Sequence, residues 1–333
     1  MSDVRIFDTR IARGLWLALA LAGAAAVVEA AEKPDASLLY LQQLDQRIAD
    51  ISWRIVAANA SLCPRRTNAL GISLHDAVQY APSYRQAAVD TFGFGDGLPA
   101  ILAVAHSGPA DIAGLRPGDR IAAIDGIALP PTVITPTAKE AYEPVATVMT
   151  RLEQLPADRP ARLDIRRGSS AMTIQVRPVT TCRSRVEVVP GSPINASSNG
   201  DVVQIYGKLA LWTKSDDELA IVIAHELAHN ILDHNRRIDR EKIGTGFLAS
   251  LGSDGRKLRD MEREADRYGL FLAARAGYDY RIAPDFWRRL SATTGLGAVW
   301  GTTHPSSSSR AAFNRQAVAE IDRQKAASAV LAP

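Results

Sequence analysis

Apolar positions along this chain fall into three regimes. Between residues 37 and 60, Leu38, Leu41, Leu44, Ile48, Ile51, Ile55 and Val56 recur at helical spacing with no Pro or Gly between them. That spacing predicts an amphipathic helix whose apolar face packs on another domain. From residue 63 to 182 Pro and Gly become frequent, and short β-like runs are expected at 100–105, 120–124, 161–166 and 172–176. Beyond 182 two more strands are expected, at 185–189 and 202–206, joined through Pro193-Ile194-Asn195-Ala196 and a turn at 197–200. A helix should then start at Asp216, because Ser215 and Glu218 have the spacing of a capping box. Leu219, Ile221, Val222, Ile223, Leu227, Ile231 and Leu232 make that helix apolar over most of its circumference, as in a buried element. Residues 235–258 read as a polar, Gly-punctuated connection with a short helix, and 260–276 as a second long helix.

Into the apolar helix the sequence sets His225, Glu226 and His229. Residues four apart share a helix face, so both imidazoles can meet one metal ion, with Glu226 beside them as a general base. Burying two His and a Glu without partners would cost several kcal/mol, and a metal would satisfy all three. A catalytic site of this kind needs a third protein ligand and an open fourth position. Glu262 and Glu264 on the second helix are both candidates, but they point about 200° apart, so only one can reach the ion. Asp266 lies one turn beyond Glu262 and is suited to hold a ligand imidazole. His234 falls off the metal face and reads as structural, while His75 and His106 have no partner in sequence and read as surface residues. The glycines at 93, 95 and 97 read as a flexible loop, since no βαβ pattern surrounds them.

The chain has 333 residues, enough for two or three domains, and a net charge of +3 with no basic run that would suggest nucleic acid as a partner. Arg5, Arg10 and Arg13 precede an apolar run over 14–28, which fits a secretory signal peptide cut after Ala30. Export then predicts a periplasmic protein. An uncleaved segment would instead anchor it in the inner membrane facing the periplasm, the one route to membrane contact. In an oxidising compartment the two cysteines, Cys63 and Cys182, predict a disulfide bracketing the middle region.

Two resemblances sharpen this reading. The run from Val104 to Ile121, containing Gly108-Pro109-Ala110, Ala113-Gly114-Leu115 and Gly118-Asp119-Arg120-Ile121, followed by Asp125-Gly126, resembles the bacterial type of the PDZ family. That implies a β-rich domain that adds a peptide strand to a sheet edge, with Leu70, Gly71 and Ile72 at the groove. His225-Glu-Leu-Ala-His229, then Glu262-x-Glu-Ala-Asp266-x-x-Gly269, resembles the gluzincin family of the HtpX heat-shock protease and the CAAX prenyl protease, its exported soluble members most of all. Asn195-Ala196, His304-Pro305 and Arg310 match further features of that family. The resemblance selects Glu262 as third ligand, implies one zinc per chain, and gives Asn195 and His304 roles in contacting substrate or stabilising the tetrahedral intermediate. From chemistry alone Asn195 is equally a turn residue.

The expected fold is therefore α+β: a mainly helical zincin-type metallopeptidase domain with a small sheet, plus a β-rich PDZ domain. The expected order is a signal peptide over 1–30, an N-terminal helix over 31–62, the PDZ domain over 63–182 and the metallopeptidase over 183–333. The expected function is zinc-dependent cleavage of exported or misfolded proteins, with the PDZ domain capturing a peptide ligand. The alternative is a latent metal-bound protein, closed by the loop carrying His304, that acts mainly as a peptide-binding or chaperone-like module.

Overall fold

The computed structural model describes residues 34–133, 140–191, 193–244, 252–294 and 307–333. The expected signal segment and His304 lie outside them. Helix α1 (Pro34–Ala58) opens the described chain. Its stripe of Leu44, Ile48, Ile51, Ile55 and Val56 enters the larger of the hydrophobic cores, shared with the helices that follow residue 206. The same helix also ties itself to the middle region. Gln42 donates to the Leu102 carbonyl at 3.1 Å, and Gln46 both donates to the Val104 carbonyl at 2.7 Å and accepts from the Val104 amide at 3.1 Å. One helix thus packs on one core and hydrogen-bonds to a strand of the other.

The middle region comprises β1 (Arg66–Ala69), β2 (Ile72–His75), α2 (Pro82–Phe92), β3 (Ala100–Val104), α3 (Pro109–Ile112), β4 (Arg120–Ile124), β5 (Ile127–Ala128), α4 (Glu143–Glu153), β6 (Ala161–Arg167), β7 (Ser170–Val176) and β8 (Val179–Cys182). An antiparallel sheet runs in the order β2-β3-β4-β6-β7 with β5 beside β4, leaving β2 at one edge. Inward residues such as Ile101, Ile121, Leu163 and Ile165 form a core with Val145, Val148 and Leu152 of α4. Strands β1 and β8 pair antiparallel, with Arg66 opposite Cys182. Cys63 and Cys182 form the disulfide, at a Cα separation of 5.3 Å. His75, expected at the surface, is buried. Its ring packs edge-on against Phe92 and Phe94, and Nδ1 is 2.7 Å from the Tyr80 hydroxyl, so an aromatic cage rather than water surrounds it. His106 is exposed as expected, and pairs with Asp50 of α1 at 2.8 Å.

The last region begins with β9 (Arg185–Val189), β10 (Ala196–Ser198) and β11 (Val202–Tyr206). They form a sheet in the order β10-β11-β9, with β9 and β11 parallel. Helices α5 (Gly207–Trp212), α6 (Asp216–Ile231), α7 (His234–Glu241), α8 (Ser253–Arg275), α9 (Ala283–Thr294) and α10 (Ser307–Ala326) follow. Helix α6 starts where expected, with the Ser215 hydroxyl accepting from the Glu218 amide at 3.3 Å. The return bond differs from a capping box, because Glu218 accepts from the Lys214 amide at 2.7 Å instead of from Ser215. Helix α8 begins ahead of the expected residue 260. No helix among the described residues is long and apolar enough to cross a membrane.

Candidate metal centre

The centre depends on how closely α6 and α8 approach. Gly269 faces α6, and a Cβ built there would sit 2.9 Å from the His225 amide nitrogen and 3.0 Å from the Ala224 carbonyl. Ala224 on α6 and Ala265 on α8 are both fully buried, so small residues stand on each helix. The helix backbones come close enough for the short carboxylates of α8 to reach imidazoles on α6. Gly269→Ala is expected to destabilise the fold by about 1–3 kcal/mol through overpacking, despite alanine's better helix propensity, and to weaken metal binding. Thermal melting and metal titration would check it.

His225, His229 and Glu262 converge at this contact. The two Nε2 atoms are 3.2 Å apart. Glu262 places Oε2 3.5 Å from His225 Nε2 and Oε1 3.5 Å from His229 Nε2. Ligands bound at about 2.0–2.1 Å around one tetrahedral ion stand about 3.3 Å from each other. The spacing of these three side chains therefore suits a single tetrahedral ion with one vertex left open. Of the two acidic candidates on α8, Glu262 reaches this cluster and Glu264 does not. Glu226 follows His225 on α6 and is half-buried.

Each imidazole is held from behind. Asp266 Oδ1 accepts from His225 Nδ1 at 3.0 Å, which turns Nε2 toward the cluster. Asp266 is itself clamped by Arg310 through Nη2 to Oδ1 at 2.6 Å and Nε to Oδ2 at 2.8 Å, with Asn314 donating at 3.2 Å. The guanidinium lies over the Trp287 ring, 3.4 Å from its centroid, so this buried charge pair is satisfied on every side. Burial opposes charge on Asp266, but Arg310 and the His225 bond hold its carboxyl below the usual range. Burial likewise disfavours charge on His225, yet bonds to Asp266 and Glu262 outweigh it and raise its pKa to about 9. A cation is thus favoured at this position, and a metal would displace the proton.

His229 is held by two residues that sequence reasoning set aside. His234 Nδ1 lies 2.9 Å from His229 Nδ1, and His234 Nε2 lies 3.1 Å from Glu264 Oε2. Arg237 completes the chain, 3.2 Å from the same carboxylate oxygen. His234 is buried and stands outside the converging group, but its ring holds His229 from behind. His234→Ala is expected to lower metal affinity about 10–100-fold and Glu264→Gln by less, measured by competition with a chromogenic chelator.

Of the remaining expected residues, Asn195 stands just before β10, where its carbonyl accepts from the Tyr206 amide at 3.1 Å. Among the described residues its side chain makes no hydrogen bond to the three converging groups. Strand β10 packs against α6, and as an edge strand it offers unpaired backbone groups alongside the metal helix. Leu70, Gly71 and Ile72 line a groove remote from the cluster in sequence. Gly71 has φ +75° and sits against the Trp53 ring of α1.

A family model described as Peptidase family M48 matches residues 181–253 and 255–317, which carry every group of the cluster. The C-terminal region is similar to the M48 metallopeptidases. The mitochondrial metalloendopeptidase OMA1 of Schizosaccharomyces pombe is 30% identical over 132 residues, 33% of this chain and 39% of that protein. A Vibrio cholerae protein named as a beta-barrel assembly-enhancing protease is 28% identical over 120 residues, 28% of this chain and 25% of the relative. The OMA1 of Bos taurus is 29% identical over 161 residues, 38% of this chain and 31% of that protein. The chain thus spans well under half the length of these relatives. Family and relatives together liken residues 181–317 to metalloproteases. Among solved structures, an HtrA-type protease AlgW with a decapeptide matches 34% of this chain and 30% of its own at 16% identity and a TM-score of 0.26. An HtrA3 PDZ domain bound to a phage-derived ligand matches 35% of this chain and 89% of its own at 16% identity and a TM-score of 0.25. Scores that low carry no argument here.

Proposed function

We propose that this chain is an exported zinc endopeptidase that cleaves unfolded or misfolded polypeptides in the periplasm. The observation that carries this reading is the three-way spacing of His225 Nε2, His229 Nε2 and the Glu262 carboxylate, 3.2 to 3.5 Å apart, behind which each imidazole is oriented. Two imidazoles and a carboxylate with an open vertex are the donor set of a catalytic rather than a structural zinc site. When bound, the ion would supply Lewis-acid polarisation of the scissile carbonyl. Glu226 takes the proton from the attacking water and delivers it to the leaving amine. The edge of β10, next to α6, aligns the substrate backbone, and Asn195 and His304 are assigned to the developing oxyanion. The middle domain serves as a PDZ-like module that captures an extended segment and raises its concentration at the site.

The purified full-length chain is expected to hold about one zinc and to cleave casein, to lose cleavage in a chelator and to regain it on adding zinc. Cleavage that survives complete removal of metal would sink this reading.

A further inference from the structure

A groove of about 1000 Å³ separates the middle domain from the last region. It is at the upper end of the ligand-pocket range of about 300–1,000 Å³. Its walls are α1, β2, α4 and β9. Strands β2 and β9 are each the last strand of their sheet, so the groove runs between two strand edges that offer backbone hydrogen-bonding groups. Leu70, Val145, Met149 and Leu152 supply an apolar floor. Two bonds span the mouth: the Tyr142 hydroxyl donates to Glu187, and Arg185 pairs with Glu153 at 2.6 Å. Ser73 and His75 of β2 are among the residues along its wall.

The charge of the groove is one-sided. Asp45, Glu140, Glu153 and Glu187 line it, and among the described lining residues Arg185 is the one cation, already taken by Glu153. Asp45 and Glu187 form no ion pair among the described residues, although Glu187 accepts from the Tyr142 hydroxyl and feels the Arg185 charge. Burial, and then the charge of Glu187, push the Asp45 carboxyl up to about 7, and burial raises Glu187 as well. Two carboxylates lining one apolar groove, with a net acidic wall around them, repel an incoming peptide C-terminus and favour a cation.

We propose that the groove between β2 and β9 binds an extended polypeptide segment that places a lysine or arginine side chain between Asp45 and Glu187 and its apolar side chains on the α4 floor. This deepens the capture role given to the middle domain and rests on it. It departs from that role's usual ligand, because the recognised feature is an internal basic residue instead of a terminal carboxylate. Strand edges supply affinity for any extended backbone, while the acidic pair selects which segment stays.

The test uses full-length Glu226→Gln protein, which cannot consume its ligand, and fluorescent octapeptides of alternating Val and Thr. These are acetylated and amidated to remove terminal charge, with one central Lys, Arg, Gln or Glu. Anisotropy titrations are expected to show Lys and Arg probes binding about tenfold more tightly than Gln, with Glu weakest. In the Asp45→Asn/Glu187→Gln double variant the preference should fall below about threefold. Equal affinity for Lys and Gln probes, no binding, or a preference the double variant leaves intact would overturn the proposal. Should the double variant not fold, hydrogen exchange on the Glu226→Gln chain decides. Protection by the Lys probe must fall on the amides of Ile72–His75 and Arg185–Val189, and protection elsewhere rejects the groove. Casein cleavage by the wild-type chain is read separately. Cleavage without basic selectivity rejects the groove alone, and selectivity without cleavage rejects the protease alone.

Discussion

Full-length Glu226→Gln protein is expected to bind one metal ion as tightly as the wild type and to cleave casein about 10³-fold more slowly. The substitution keeps the size and hydrogen-bonding reach of the side chain but removes its ability to take a proton. Among the described residues, the bonds that orient His225 and His229 do not pass through it. His225 is oriented by Asp266, His229 by His234, and Glu262 stands on a different helix. Metal content, melting temperature and turnover therefore separate the possibilities. Loss of turnover with metal and melting unchanged assigns Glu226 to the proton transfers. Loss of metal would show that it supports the site instead, and undiminished turnover would remove it from the chemistry.

How much of this was legible in the sequence varied with the kind of signal. Strands β9 and β11 occupy the residues expected of them, because short β-branched runs bounded by turn residues leave little choice. Helix α6 also starts at Asp216, since its hydroxyl cap and apolar girth agree. Helix α8 begins at Ser253, earlier than expected, because its first two turns are largely charged and only Gly255 and Leu258 are buried there. Helix α2 went unread although Pro82 opens it and Gly93 closes it at φ +74°. Its buried residues are Arg85 and Ala88, which make no apolar stripe. The pairing of His225 with His229 was readable because periodicity on one helix sets which side chains share a face, whereas the choice of Glu262 over Glu264 came from the family resemblance. The support behind His229 was not. Asp233 takes a left-handed conformation at φ +57° just after α6, and that turn places the His234 ring against His229. A helical wheel, which continues α6 past its end, points His234 elsewhere. The same limit hid His75, since its cage is assembled from residues 5 to 19 positions away whose convergence depends on α2.

Reducing the Cys63–Cys182 bridge is expected to cost the folded state about 4–5 kcal/mol. The two cysteines are 119 residues apart, so the bond closes a loop containing the whole middle region and strongly restricts the unfolded chain. Both cysteines sit in the core of α1, α6 and α8, so the thiols of the reduced protein remain packed and the loss is mainly one of chain restriction. For a protein of this size the melting temperature should fall by on the order of 10 °C. Calorimetry of the Cys63→Ser/Cys182→Ser variant, alongside wild type with and without reductant, measures it, and coincident melting of all three would show that the bridge adds nothing. The site of the effect is as informative as its size. Cys182 ends β8, three residues before β9, whose Arg185 and Glu187 form one side of the groove. His225, His229 and Glu262 are held more directly, by the close α6–α8 approach at Gly269 and by Arg310 through Asp266. Reduction should accordingly weaken binding of the lysine probe at temperatures where chelator-sensitive cleavage of casein is still intact. If cleavage is lost first, the bridge supports the catalytic helices and the groove is the sturdier part.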